Sequence, residues 1–129
     1  MKRIKSMARN RLIANCVVNG KEACFLLDTG ASAGMMNRGW KDKYSLKEGR
    51  RFGGTVVGAG GEMCDVNRCD TFAYLEGKAI PQFLMADISN IVHSIKEETG
   101  IEILGIISLP QMKIAGIGID ANDMEIIIE

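Results

Sequence analysis

Short apolar runs alternate with glycine, asparagine and charged clusters along the chain, a spacing that predicts strands and tight turns more than helices. Leu12–Val18 reads as a strand, Asn19-Gly20 as a two-residue hairpin turn, and Glu22–Leu27 as the returning strand. The register of that turn sets Val18 opposite Lys21, Cys16 opposite Ala23 and Asn15 opposite Cys24. Cys16 and Cys24 then point to opposite faces of the sheet. Residues 33–50 mix Trp40 and Tyr44 with Lys41, Asp42, Lys43, Lys47 and Glu48, and are expected to form loop and short irregular strand. A longer hairpin is expected over 51–75, with arms Phe52–Val57 and Glu62–Tyr74 and a tip at Val57–Gly61. Lys78–Met85 reads as a strand after the Glu76-Gly77 turn. Ser89 is placed to cap a helix over Asn90–Thr99, with Ile91, Val92 and Ile95 on one face and Gly100 at its end. Ile101–Leu104 reads as a buried strand, and Met112–Ile119 with Met124–Ile128 as a last hairpin around Ala121-Asn122-Asp123. The sum is an all-β, hairpin-rich chain with one short helix.

Composition narrows the classes. The chain has 129 residues, 47% hydrophobic and 25% charged, with zero formal net charge, which describes one globular domain. No apolar run reaches the roughly 18–20 residues of a membrane span, and the neutral balance leaves no broad field for nucleic acid. Neither partner is expected. Gly is 15 and Pro only 2, which favours tight turns over linkers. Residues 1–11 carry Lys2, Arg3, Lys5, Arg9 and Arg11 and are expected as a basic, solvated, partly ordered arm. The alternative is an arm that pairs with a partner subunit. Arg9, Asn10 and Arg11 interrupt too early for a secretory signal, so a cytoplasmic location is expected.

The cysteines are Cys16, Cys24, Cys64 and Cys69, and their spacings do not suit zinc. They are expected as buried free thiols in a reducing compartment, with Cys64 and Cys69 on opposite strand faces. No metal or other cofactor is expected. His93 reads as a surface or partly buried residue rather than a base, Lys96, Glu97 and Glu98 as a solvated face, and the methionines as core filler. The glycines at 58, 60 and 61 lack the further glycine and the Gly-Lys-Ser/Thr of phosphate-cradling loops.

The chemistry concentrates in Leu26-Leu27-Asp28-Thr29-Gly30-Ala31-Ser32. Two apolar residues bury the strand end, a carboxylate emerges where the strand stops, and Thr29 and Gly30 suit a tight turn with close backbone approach. Alone, this also describes an acidic turn after a strand. In its context it resembles the active-site motif of the single-motif, retropepsin-like aspartic proteases of bacterial type. That family runs hairpin, Asp-Thr-Gly loop, glycine-tipped flap, strands, then an apolar-apolar-Gly motif and a terminal hairpin. Here Val56-Val57-Gly58-Ala59-Gly60-Gly61 stands at the flap and Ile103-Leu104-Gly105 at the second motif. Asp87–Ile91 and the following helix are similar to a segment of bacterial members. The resemblance covers residues 12–129 and implies the acid protease fold, a hairpin-rich half-barrel with a flap.

By that resemblance, the chain would be an aspartic endopeptidase. Hydrolysis by this route needs two carboxylates sharing one proton, because like charges so close cannot both ionise. One takes a proton from water while the other donates to the scissile carbonyl. Only Asp28 sits in such a motif, so the second acid must come from another chain, in a symmetric homodimer. Thr29 would brace the two loops across the axis, and the Gly30 carbonyl would hold the substrate backbone. Ala31 and Ser32 would line the substrate site, and Val57, Gly58, Ala59, Gly60 and Gly61 would close over an extended peptide. Ala31 stands where pepsin-like enzymes often carry a hydroxyl bonded to the catalytic carboxylate, so a mildly acidic to neutral optimum is expected.

Ile106-Ile107-Ser108-Leu109-Pro110 departs from the family, which follows the second motif with Arg or Asp and a Leu-rich helix. A short or absent helix, and one lost dimer contact, are expected there. The terminal Glu125–Ile128 strand is expected to be covered, as a piece of interface. The rivals are a peptide-binding or dimerisation module without proteolysis on the same fold, and a monomer in which Asp28 is only a turn acid.

Overall fold

A computed structural model describes Met1 to Glu129 except Thr55, Ala59, Gly60 and Cys64, and gives residues 56–58 and 61–63 as paired strands only. The expectations for the flap tip residues Ala59 and Gly60, and for Cys64, lie outside the described residues. The elements follow in chain order. The first are β1 (Lys2–Lys5), β2 (Ile13–Val18), β3 (Lys21–Asp28) and β4 (Gly34–Asn37). A 3-10 turn (Arg38–Trp40) then leads into α1 (Lys41–Tyr44). Next come β5 (Glu48–Arg51), β6 (Val56–Gly58), β7 (Gly61–Met63), β8 (Asn67–Cys69), β9 (Ala73–Leu75), β10 (Lys78–Ile80) and β11 (Phe83–Ala86). The last are α2 (Ser89–Thr99), β12 (Ile103–Ser108), α3 (Leu109–Ala115), β13 (Ile117–Asp120) and β14 (Glu125–Ile128).

Among the described residues the strands form one nine-stranded open sheet, ordered β10-β9-β2-β3-β12-β4-β11-β8-β5, with β1-β14-β13 and β6-β7 as smaller sheets. The protein is therefore mostly β with no closed barrel, as the sequence predicts. The first hairpin has the expected register: Val18 pairs with Lys21, Cys16 with Ala23, and Asn15 with Cys24. Strand alternation divides the core in two. Ala23, Phe25 and Leu27 join one apolar cluster with Cys16, Val18 and Phe83. Leu26 and Ile13 join the other with Ala31, Met35, Ile91 and Ile95.

Several elements differ from expectation. Residues 33–50 contain β4, a fully buried strand between β12 and β11, as well as α1. Met35 and Met36 fill the core from its two faces. The long arm over 62–74 is divided into β7, β8 and β9. The strand expected over 78–85 is cut at Pro81-Gln82, where Gln82 has φ +68°, so β10 and β11 lie far apart in the sheet. Proline cannot donate to a ladder and favours such a break. Ser89 does not cap α2: Ile88 holds that position, and the Asp87 carboxylate accepts from Ser89 N at 3.0 Å. Ile91, Val92 and Ile95 are buried and Gly100, at φ +78°, ends the helix as expected.

Leu109–Ala115 is α3, the short form of the helix expected around Pro110, so the strand expected over Met112–Ile119 begins only at Ile117 and the protein has more than one short helix. Its cap explains it. The Ser108 hydroxyl accepts from Gln111 N at 3.4 Å while Gln111 Oε1 accepts from Ser108 N at 2.9 Å, a reciprocal capping box. Pro110 sits in the first turn, where its missing N–H is harmless.

Residues 2–5 pair along their length with β14, Lys2 opposite Ile128 and Lys5 opposite Glu125. Ser6 then ties the segment down, donating to Arg11 O at 2.6 Å and accepting from Ile13 N at 2.9 Å. The terminal strand β14 is thus covered by its own chain, between β1 and β13.

Candidate active site

β3 buries Leu26 and Leu27 on opposite faces and ends at Asp28, which is half-buried. Beyond it the chain turns at once. Asp28 Oδ1 accepts from Gly30 N at 2.9 Å, and Asp28 O accepts from Ala31 N at 3.1 Å. The carboxylate is therefore pinned by the amide of its own loop, an Asx turn. Space beside the carboxylate is close: a Cβ at Gly30 would stand 3.3 Å from Asp28 Oδ1. Ala31 is buried in the second apolar cluster and anchors the loop, while Thr29 and Ser32 are exposed.

The strand beside Asp28 is β12, running parallel to β3, and its end rather than its middle pairs with Asp28. Ile106 pairs with Leu26, Ile107 with Leu27, and Ser108 with Asp28. The second motif, Ile103-Leu104-Gly105, lies earlier on the same strand, with Ile103 paired to Cys24 and Gly105 to Phe25. A bulge lies between Ile103 and Gly105, where two steps of β12 face one step of β3. The extra residue resets the alternation, so Ile103 and Ile106 share one cluster while Leu104 and Ile107 share the other. Gly105 makes the bulge possible, since a Cβ would fall 1.9 Å from the Met35 carbonyl oxygen of β4.

A buried polar knot backs the strand end. Ser108 and Gln111 are 0% and 2% exposed. Gln111 Nε2 donates to Pro81 O at 2.8 Å, and its carboxamide lies against Gly34, where a Cβ would overlap it. The knot joins the starts of α3 and β4 to the β10–β11 link.

In front of Asp28 lies a cavity of about 770 Å³, a volume suited to a ligand of several residues. Asp28, Gly30, Leu26 and Leu27 form one side, Arg11 and Leu12 another, and α2 supplies Asn90, Ile91, Ser94 and Ile95. The α2 wall and Arg11 line this candidate site, and the motif reading did not place them there. The signal was present in sequence: Asn90 with Ser94, and Ile91 with Ile95, are i, i+4 pairs on one helix. Asn37 fixes where that helix starts, its buried Oδ1 accepting from Ile88 N at 3.0 Å. Arg11 donates to Glu98 through Nε at 2.7 Å and Nη2 at 3.4 Å. Its pKa is raised above the ordinary guanidinium value, first by the hydrogen bond to Glu98, then by that carboxylate's charge, with a contribution from Asp28.

Of the expected flap residues, β6 and β7 pair antiparallel, with Val57 opposite Glu62 and Gly58 opposite Gly61. At its base, Phe52 packs on the cluster that contains Ala31. His93 is exposed and pairs with Glu97 at 3.0 Å. Asp120, Asp123 and Glu125 gather near the terminal hairpin, but the Arg3 guanidinium bonds Asp120 at 3.0 Å and Glu125 at 3.1 Å. Cys16 and Cys69 are buried free thiols and Cys24 is half-buried.

A parallel β3–β12 pair with β12 inserted between β3 and β4, an Asp-Thr-Gly loop at the strand end and a separate β6–β7 hairpin define the retropepsin-like aspartic protease fold. The aspartyl protease family model matches residues 14–71, the span that carries Asp28. Among solved structures, the chain is similar to the EIAV protease complexed with an inhibitor, at 20% identity and TM-score 0.59, covering 84% of this chain and 90% of that one. It is also similar to the retroviral protease-like domain of Ddi1 from Leishmania major, at 19% identity and TM-score 0.58, covering 94% and 90%. A retropepsin-like aspartic protease from Rickettsia conorii aligns at 19% identity and TM-score 0.57, covering 98% and 89%. No curated protein matches the sequence significantly. No helix among the described residues is long and apolar enough to cross a membrane.

Proposed function

We propose that the protein is an aspartic endopeptidase whose catalytic dyad is Asp28 from each of two copies in a symmetric homodimer. The observation that carries this reading is the Asp28 carboxylate, oriented by the Gly30 amide and opening on the cavity walled by Arg11 and α2. In the dimer the two carboxylates hold one proton between them. The ionised one accepts a proton from a water, whose oxygen attacks the scissile carbonyl carbon. The protonated one donates to the carbonyl oxygen, giving a gem-diol. Collapse breaks the C–N bond as the amine leaves with a proton, and the dyad regains its shared proton.

Thr29, exposed on a single chain, braces the loops across the two-fold axis. Gly30, Ala31 and Ser32 hold the peptide backbone and the β6–β7 hairpin covers it. Residues 12–129 act as the peptidase domain and residues 1–11 as a basic segment joined to it through β1, with no metal or other cofactor in the reaction.

The test is cleavage of a degenerate peptide library by the native protein and by Asp28→Asn, with sedimentation of both. Cleavage by the native dimer and none by the variant is expected; equal turnover by both removes Asp28 from the mechanism. Activity is expected to peak at mildly acidic to neutral pH, and a rate that climbs continuously below pH 3 refutes that placement. A second reading, a peptide-binding module without proteolysis, draws on Ser108-Leu109-Pro110 standing where the family carries a charged residue. Saturable binding with no cleavage by either protein supports it.

A further inference from the structure

The cavity at Asp28 is uneven in charge. Apart from Asp28, Arg11 is the one charged residue among those that line it, the rest being apolar or neutral. Glu98, the partner of Arg11, lies outside that lining. Arg11 thus lines the cavity while its guanidinium bonds a carboxylate outside that lining, with its side chain 47% exposed. Glu98 takes Nε and Nη2, and the remaining Nη1 donors have no carboxylate partner among the described residues. Arginine keeps its charge at any working pH and offers a fork of donors suited to a second carboxylate. The neighbouring wall, Leu12, Leu26, Ile91 and Ile95, offers an apolar seat.

We propose that Arg11 is a specificity-determining residue, selecting peptides that place an acidic side chain within a few residues of an apolar one. This rests on the reading that an extended peptide occupies the cavity. Side chains of a bound strand alternate, so an apolar residue seated on the Leu26–Ile91–Ile95 wall leaves a nearby position to meet Arg11. A glutamate there gains a charge-assisted bond in a partly enclosed cleft. A lysine there meets a like charge.

Binding to the full chain carrying Asp28→Asn separates recognition from turnover. Two fluorescent peptide pools share a central Leu pair and differ only in carrying Glu or Lys within three residues on either side. Anisotropy is expected to show the Glu pool binding roughly tenfold tighter. The doubly reversed protein, Arg11→Glu with Glu98→Arg, keeps an ion pair to the helix but inverts the sign at the cavity, and is expected to prefer the Lys pool. A contact that serves folding alone would leave the preference where it was. Should the reversed pair fail to fold, Arg11→Gln is expected to erase the preference.

No preference in the Asp28→Asn protein, the same preference after reversal, or no binding of either pool overturns the proposal. Cleavage of the Glu pool by the native protein is measured alongside. Charge-inverting binding without cleavage keeps this proposal and removes the peptidase reading; cleavage without charge preference does the opposite.

Discussion

The Asp28 carboxylate is held through the bond it accepts from the Gly30 amide, and the space beside that bond is close. A methyl group at residue 30 would approach Oδ1 to 3.3 Å, inside ordinary contact, so the carboxylate must rotate or shift by a few tenths of an ångström. Gly30 is exposed and the rest of the core does not depend on it. Gly30→Ala is therefore expected to lower kcat by roughly tenfold to a hundredfold, the cost of misplacing a reacting group, with the thermal midpoint nearly unchanged. Peptide kinetics at saturating substrate, paired with a melting curve, check this; an unchanged kcat shows that the carboxylate does not need that geometry.

The thiols behave oppositely to a reactive site. Burial pushes Cys16 up to about 12 and also raises Cys24 and Cys69. A raised thiol pKa means less thiolate at neutral pH, hence slow alkylation. Mass-spectrometric mapping after iodoacetamide at pH 7.5 is expected to find Cys24, half-buried, modified before Cys16. The sign for stability follows by linkage. Unfolding releases Cys16 to its ordinary value, 9.0, so the folded state binds the proton more tightly between that value and about 12. Its contribution is whole below the unfolded pKa and falls as pH rises through that window. Denaturant titrations at pH 8 and pH 10.5 are expected to show the loss, diminished in Cys16→Ala.

At the scale of elements, β12 shows what a sequence pattern conveys and where it stops. The apolar run Ile103–Ile107 is plainly a buried strand, but a run without polar interruptions carries no period from which to read a bulge. Only the pairing with β3 and β4 reveals that Gly105 absorbs an extra residue and that Ser108 is the neighbour of Asp28. β4 was hidden for a related reason: Gly34-Met35-Met36-Asn37 has neither β-branched residues nor alternation, and is a strand because two neighbours supply its hydrogen bonds. Local chemistry was more legible. The Asn19-Gly20 hairpin, the apolar face of α2 and the Asp28 loop each depend on residues adjacent in sequence, and each stands as the sequence predicts.

The bulge also offers the sharpest stability test. Gly105→Ala puts a carbon 1.9 Å from a backbone oxygen of β4, which no rotamer relieves. The loss is expected to exceed about 3 kcal/mol, at the upper end for single substitutions, read as a collapsed denaturation midpoint or as insoluble protein. A variant that melts within a few degrees of the native protein contradicts the bulge geometry.

At the scale of the whole molecule, one chain closes its own ends. β14 lies between β1 and β13, and Arg3 bridges Asp120 and Glu125 across them. On the proposed mechanism the second copy is needed for chemistry, since each chain brings one acid to a reaction that needs two. That requirement has an arithmetic signature. In an equal mixture of native and Asp28→Asn chains, dissociated and allowed to reassemble at fixed total concentration, random pairing leaves about a quarter of the dimers with two acids. Activity is expected to fall to about a quarter of the all-native value, because heterodimers hold only one carboxylate. Chains that work singly would retain about half. The two outcomes differ twofold, well within a kinetic assay, and melting curves of the two proteins establish beforehand that the variant folds. Dilution of the native protein extends the same argument: specific activity is expected to decline as dimers dissociate, and a substrate-like inhibitor that spans both subunits is expected to restore the dimer population by mass action.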